Sequence, residues 1–167
     1  MAKRRNRALL IALISLLMMM VLTSCGPGKM KVHEDNMEIT LTKDFQRSTL
    51  KNATWYYKSK DALAMGIKVD KLSLENDGQE INSASDYAAL YIRANGIPGS
   101  PEIKTRDGYV YYEYTDTVSK TEFAYLTCVY DHGDSYWMVN FACYKDAYKE
   151  SSDDFFKWAD SVVFDNE

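Results

Sequence analysis

From Pro101 to Tyr144 the chain alternates β-rich stretches with turn residues, and no other feature limits the possible folds so strongly. Pro101–Arg106, Tyr109–Thr115, Thr121–Tyr130 and Tyr136–Tyr144 are rich in aromatic and β-branched residues. Asp107-Gly108, Val118-Ser119 and the Asp131–Ser135 segment with Gly133 lie between them. Asp107-Gly108 suits a two-residue hairpin with positive φ at both positions. The spacing therefore predicts a four-stranded antiparallel meander. Met37–Leu41, Thr54–Ser59 and Ala62–Asp70 are three further candidate strands, for a sheet of about six to seven.

Two segments carry helical period. Ala84, Tyr87, Ala88, Tyr91 and Ile92 fall on one face between Ser83, a candidate N-cap, and Gly96. Phe155, Phe156, Trp158, Ala159 and Val162 form a broad apolar face over Ser152–Val162, behind an acidic first turn, Asp153-Asp154, that suits the positive end of a helix dipole. With Val118-Ser119 as a loop and Tyr130 facing Tyr136, Tyr112 would meet Tyr125, and Tyr125 would meet Phe141. Neither face of that sheet is polar enough to be left wholly in water, so helices are expected on both sides of it. The fold class is α+β, an antiparallel sheet layered with helices.

Residues 1–24 read as an export signal: basic Lys3 to Arg7, then fifteen mostly apolar residues from Ala8 to Leu22. Fifteen is short of the roughly 20 residues a spanning helix needs. Leu22-Thr23-Ser24-Cys25 closely resembles the lipobox of bacterial lipoproteins. The resemblance implies cleavage before Cys25 and acylation of its thiol with palmitate-like chains, a membrane anchor on the extracytoplasmic face. Two acyl chains supply the two insertions that stable anchoring takes. Gly26-Pro27-Gly28 and the polar run to Asn36 read as a tether over 25–36, long enough to hold the domain roughly 30 Å off the bilayer. Residues 37–167 then form a single domain. Without residues 1–24, 16 Lys+Arg face 24 Asp+Glu, a formal charge of −8. Nucleic acid is a poor partner for such a surface, and anionic headgroups should repel it, which leaves attachment to Cys25 alone.

The order of strands and helices resembles the PsbP/Mog1-like fold over roughly residues 37–164. The ending Phe155-Phe156-Lys157-Trp158-Ala159-Asp160-Ser161-Val162-Val163-Phe164 carries the likeness best, an aromatic-rich helix followed by a Ser-apolar-apolar-Phe strand. Such proteins serve as adaptors and binding modules. The resemblance therefore implies a non-catalytic module for a protein or cell-envelope partner, and it transfers no residue-level role.

The residues themselves point away from catalysis. The two histidines are His33, in the tether, and His132, at a hairpin tip, and neither is held as a triad base would be. Asp131-His132-Gly133-Asp134 offers too few ligands for a metal, and Glu75-Asn76-Asp77-Gly78 lacks calcium-loop spacing. No catalytic residue, metal or cofactor is expected. Cys128 and Cys143 should lie about 16 Å apart along the meander at 3.3 Å per residue, beyond disulfide reach, as two buried thiols. Eleven of the 13 tyrosines fall between Tyr87 and Tyr148. On the assumed register Tyr111, Glu113 and Asn140 share a face with Ala124 and Ala142. They would line a shallow concavity for a small molecule or glycan, the alternative function, unless a helix packs on those alanines.

Overall fold

A computed structural model describes residues 28–165. The main sheet has seven antiparallel strands in the order β3-β4-β5-β9-β8-β7-β6. They are β3 (Gln46–Ser48), β4 (Trp55–Lys58), β5 (Ala62–Asp70), β6 (Lys104–Arg106), β7 (Tyr109–Val118), β8 (Thr121–His132) and β9 (Ser135–Tyr144). A second sheet, ordered β1-β2-β10, joins β1 (Lys29–Glu34), β2 (Met37–Thr42) and β10 (Val163–Phe164). The helices are α1 (Lys71–Asn76), α2 (Ala84–Ala94) and α3 (Tyr148–Ala159), the last entered through a 3-10 turn at Lys145–Ala147.

Both faces of the main sheet are covered, as its composition requires. On one, Trp55, Ala64, Leu126, Val139 and Phe141 pack against Phe155 and Ala159 of α3 and against Met37, Ile39 and Leu41 of the second sheet. On the other, Tyr87, Ala88 and Ile92 of α2 pack on Val110, Tyr112, Val129 and Met138. The start of α2 is fixed by Ser83, whose hydroxyl accepts the Asp86 N–H at 3.1 Å, a cap of the kind that contributes about 1 kcal/mol.

Five expectations are corrected. The segment 25–36 is not a tether throughout. Lys29–Glu34 pairs residue for residue with Met37–Thr42, because Met30 and Val32 alternate with Lys29, Lys31 and His33 and reach the core. The helix at the end begins at Tyr148 rather than Ser152, so Asp153-Asp154 lies inside it and Asp154 pairs with Lys157 at 2.8 Å instead of facing the dipole. At the first hairpin, Arg106 pairs with Tyr109, and only Gly108 has positive φ, at 83°. Both later turns also move. The β7–β8 loop is Ser119-Lys120, which shifts the pairing by two residues and brings Tyr112 to Thr127. The β8–β9 loop is Gly133-Asp134, which shifts it by one, so Tyr130 meets Trp137 and Tyr125 meets Ala142. A two-residue shift keeps every side chain on its face, and a one-residue shift reverses them.

Cys143 accordingly lies opposite Ala124, four strand residues from Cys128. Both thiols are free and buried. The signal and Cys25 lie outside the described residues. Among those described, no helix is long and apolar enough to cross a membrane.

Candidate functional site

The reversed face of β9 separates the three residues expected to act together. Tyr111 and Glu113 point toward α3, whereas Asn140, between Thr127 and Met65, lies on the α2 side. Glu113 accepts the Tyr148 hydroxyl at 2.5 Å and lies 3.6 Å from Lys104 Nζ. Tyr111 sets its ring edge-on to Phe156, 5.1 Å between centroids. Burial, and after it the bond to Glu113, push the Tyr148 phenol far above its usual range. Tyr111 and Glu113 thus seat the closing helix, and the concavity expected around them is filled. Asn140 is 5% exposed, and its Oδ1 has no partner among the described residues.

An open aromatic surface does exist, on the α2 side beyond the end of α2. Tyr114 stacks on Tyr125 at 4.6 Å and Phe123 on Tyr144 at 5.3 Å. Ala142 leaves a shallow hollow of about 180 Å³ beside Tyr56, Leu63, Phe123 and Tyr144. Tyr144 is 55% exposed. Desolvation by burial pushes the Tyr114 phenol up to about 12 and raises that of Tyr125. Neutral, half-buried tyrosines offering broad rings and hydroxyls are the material of recognition surfaces.

A groove of about 590 Å³ lies between β2 and α3 beside Lys29, Thr40, Thr42, Asp154, Lys157 and Trp158. It exists because β10 pairs only with Met37 and Glu38. Beyond that point β2 has a side hydroxyl for a neighbour: Ser161 Oγ accepts the Thr40 N–H at 2.9 Å and donates to Trp158 O at 2.7 Å.

Ionisable groups elsewhere are engaged. Asp160 accepts two bonds from Arg106, each 2.7 Å, and one from Tyr109 at 2.8 Å. The Arg106 bonds hold its carboxyl below the usual range, so it is a poor base at neutral pH. Nothing in the sequence pairs Arg106 with Asp160, because only the finished fold brings β6 to the end of α3. Lys71 Nζ sits at the β8–β9 tip, 2.5 Å from Asp131 and 2.8 Å from Gly133 O, where a cation had been considered. Among the described residues no three metal-ligating side chains converge. His33 lies 3.5 Å from Asp165, and His132 stacks on Phe164 at 4.5 Å. Burial raises both thiols, Cys128 most, which is the reverse of nucleophile activation.

No protein-family model and no curated protein matches the sequence. Solved structures do match in shape. Cyanobacterial PsbP (CyanoP) from Synechocystis sp. PCC 6803 is 15% identical, with 86% of this chain and 99% of that one covered and a TM-score of 0.56. A protein from Bacteroides thetaiotaomicron is 10% identical over 85% of this chain and 50% of its own, with a TM-score of 0.55. LpqN of Mycobacterium tuberculosis, involved in cell envelope biogenesis, is 12% identical over 83% and 91%, with a TM-score of 0.50. At these identities the likeness concerns the fold alone, and the fold is PsbP-like, an antiparallel sheet between helices with a small second sheet at its side.

Proposed function

We propose that this chain is a lipoprotein held on the extracytoplasmic face of a cell membrane through Cys25, and that residues 28–165 are a non-catalytic binding or adaptor module for a protein or cell-envelope partner. Leu22-Thr23-Ser24-Cys25, directly after a basic and then an apolar segment, carries the reading. Support comes from the buried, raised thiols and the Arg106-locked Asp160, which leave little for chemistry. The fold shared with LpqN, itself involved in cell envelope biogenesis, is consistent with an envelope role. The aromatic strip of Tyr114, Phe123, Tyr125 and Tyr144 is the surface we assign to the partner. The alternative, a receptor built on Tyr111, Glu113 and Asn140, is less well supported, because Tyr111 and Glu113 contact α3 while Asn140 lies on the other face of the sheet.

Cells fed labelled palmitate test the anchor. The native chain should carry label and sediment with membranes, and Cys25→Ser should carry none and appear as a folded, soluble domain. A Cys25→Ser chain that stays membrane-bound would overturn the assignment. Crosslinking on intact cells tests the module: a partner captured by the native chain should be lost from a Phe123→Ser, Tyr144→Ser double variant. Undiminished capture would move the binding surface elsewhere.

A further inference from the structure

The described residues begin very close to the proposed anchor. Gly28 O accepts the Lys43 N–H at 2.6 Å, and β1 starts at the next residue. Only Gly26 and Pro27 stand between Cys25 and that fixed point. At 3.3–3.6 Å per residue, Cys25 can lie no farther than about 10 Å from Gly28. An anchor on so short a lead gives the domain little freedom to turn, and the end of the molecule that carries Gly28 has to lie close to the bilayer. The stand-off of roughly 30 Å expected for a tether running to Asn36 is not available, because β1 takes up Lys29–Glu34.

The groove between β2 and α3 opens at that end, with Lys29 on its wall. Its chemistry is that of a bilayer interface. The ammonium groups of Lys29 and Lys157 and the hydroxyls of Thr40 and Thr42 can meet phosphate oxygens. Lys157 is shared with Asp154 at 2.8 Å, so the groove is only weakly cationic. Trp158 supplies an indole, a side chain enriched where apolar and wet layers meet. Trp158 is half-buried: its ring packs on Phe45, Phe155 and Phe141 at 5.1, 5.4 and 5.7 Å between centroids, and its remaining edge lines the groove.

We infer that, in the anchored protein, the side of the domain formed by β2 and α3 lies against the membrane and the groove of Lys29, Thr40, Thr42, Lys157 and Trp158 takes in phospholipid headgroups. The inference rests on the proposed acylation of Cys25. The acidic surface as a whole disfavours free binding to anionic lipid. Attachment through Cys25 raises the local headgroup concentration enough for a weak site to fill. Docking through this side leaves the opposite face of the main sheet, with α2 and the aromatic strip of Tyr114, Phe123, Tyr125 and Tyr144, turned away from the bilayer.

The test reconstitutes palmitate-labelled mature protein into phosphatidylcholine–phosphatidylglycerol vesicles carrying a headgroup-level quencher of tryptophan fluorescence. Trp55 and Trp137 are 2% and 0% exposed. The expected loss of emission is therefore the share contributed by Trp158, one of the three tryptophans. In Trp158→Phe, whose fold is verified by the unchanged emission of the two buried indoles, the quencher should have no effect. Labelled wild-type protein that is not quenched, or quenched equally with and without Trp158, would overturn the docking and leave the anchor standing. Protein that takes no label would overturn the anchor, and the docking with it.

Discussion

Trp55 and Gly66 face each other across β4 and β5, and the indole lies where a side chain on Gly66 would begin. A Cβ there would meet Trp55 ring atoms at 2.2 Å. Trp55 is 2% exposed and lies in the core beneath α3, so its ring has no direction in which to yield. Gly66→Ala should lower stability by about 1–3 kcal/mol, the range for overpacking a tight core. A urea titration reads this as a lower midpoint at unchanged slope. A neutral result would mean that the Trp55 ring can rotate away. No sequence signal marks Gly66: it is a lone glycine in a strand whose bounds, Ala62–Asp70, are evident from the alternation of its residues. The need for a missing side chain comes from a partner several residues away in the chain.

At the scale of elements, what was legible depended on whether the signal was local. Helix α2 announces itself through Ser83, its apolar stripe and Gly96, and the structure places it over Ala84–Ala94. The strands of the meander are legible too, and so is the absence of a bridge between Cys128 and Cys143. Turns are different, because a loop may slide by one residue at almost no local cost while the sheet records the slide in every pair. Gly133-Asp134 and Ser135 offered two loops of similar chemistry. The one that forms puts Trp137, Val139 and Phe141 under α3, where they are buried, and carries Asn140 away from Glu113. The candidate site was thus misplaced by a single residue of register. At Ser119-Lys120 the chain departs from favoured turn chemistry, with φ of 51° and 72° at two residues that carry side chains. Lys120→Gly should relieve the left-handed strain and stabilise the domain by about 0.5–1 kcal/mol. A higher melting temperature for this variant is the expected outcome, and a lower one would show that the Lys120 side chain holds the hairpin.

For the whole molecule, the density of tyrosine sets a limit in alkali. Burial pushes the phenols of Tyr87 and Tyr114 up to about 12 from an ordinary 10.0, and Tyr112 and Tyr130 are raised further. A raised pKa in the fold means that the unfolded chain ionises first. The stability these phenols contribute is complete below pH 10, and it drains away as the pH climbs toward about 12. Urea midpoints should hold steady up to the lower value and then fall, with tyrosinate absorbance appearing together with unfolding. Tyrosinate absorbance that reached its full value before unfolding would place these four tyrosines in water. The small sheet has its own consequence at this scale. Strand β1 runs from Gly28 at one end of the molecule to Asn36 at the other, and β10 brings the chain to Asp165 beside Asn36, whose carbonyl accepts the Asp165 N–H at 3.0 Å. Entry and exit are therefore separated by the length of a six-residue strand, roughly 20 Å. A reporter or binding cargo fused after Asp165 would thus sit across the domain from Gly28, clear of the chain that leads into β1.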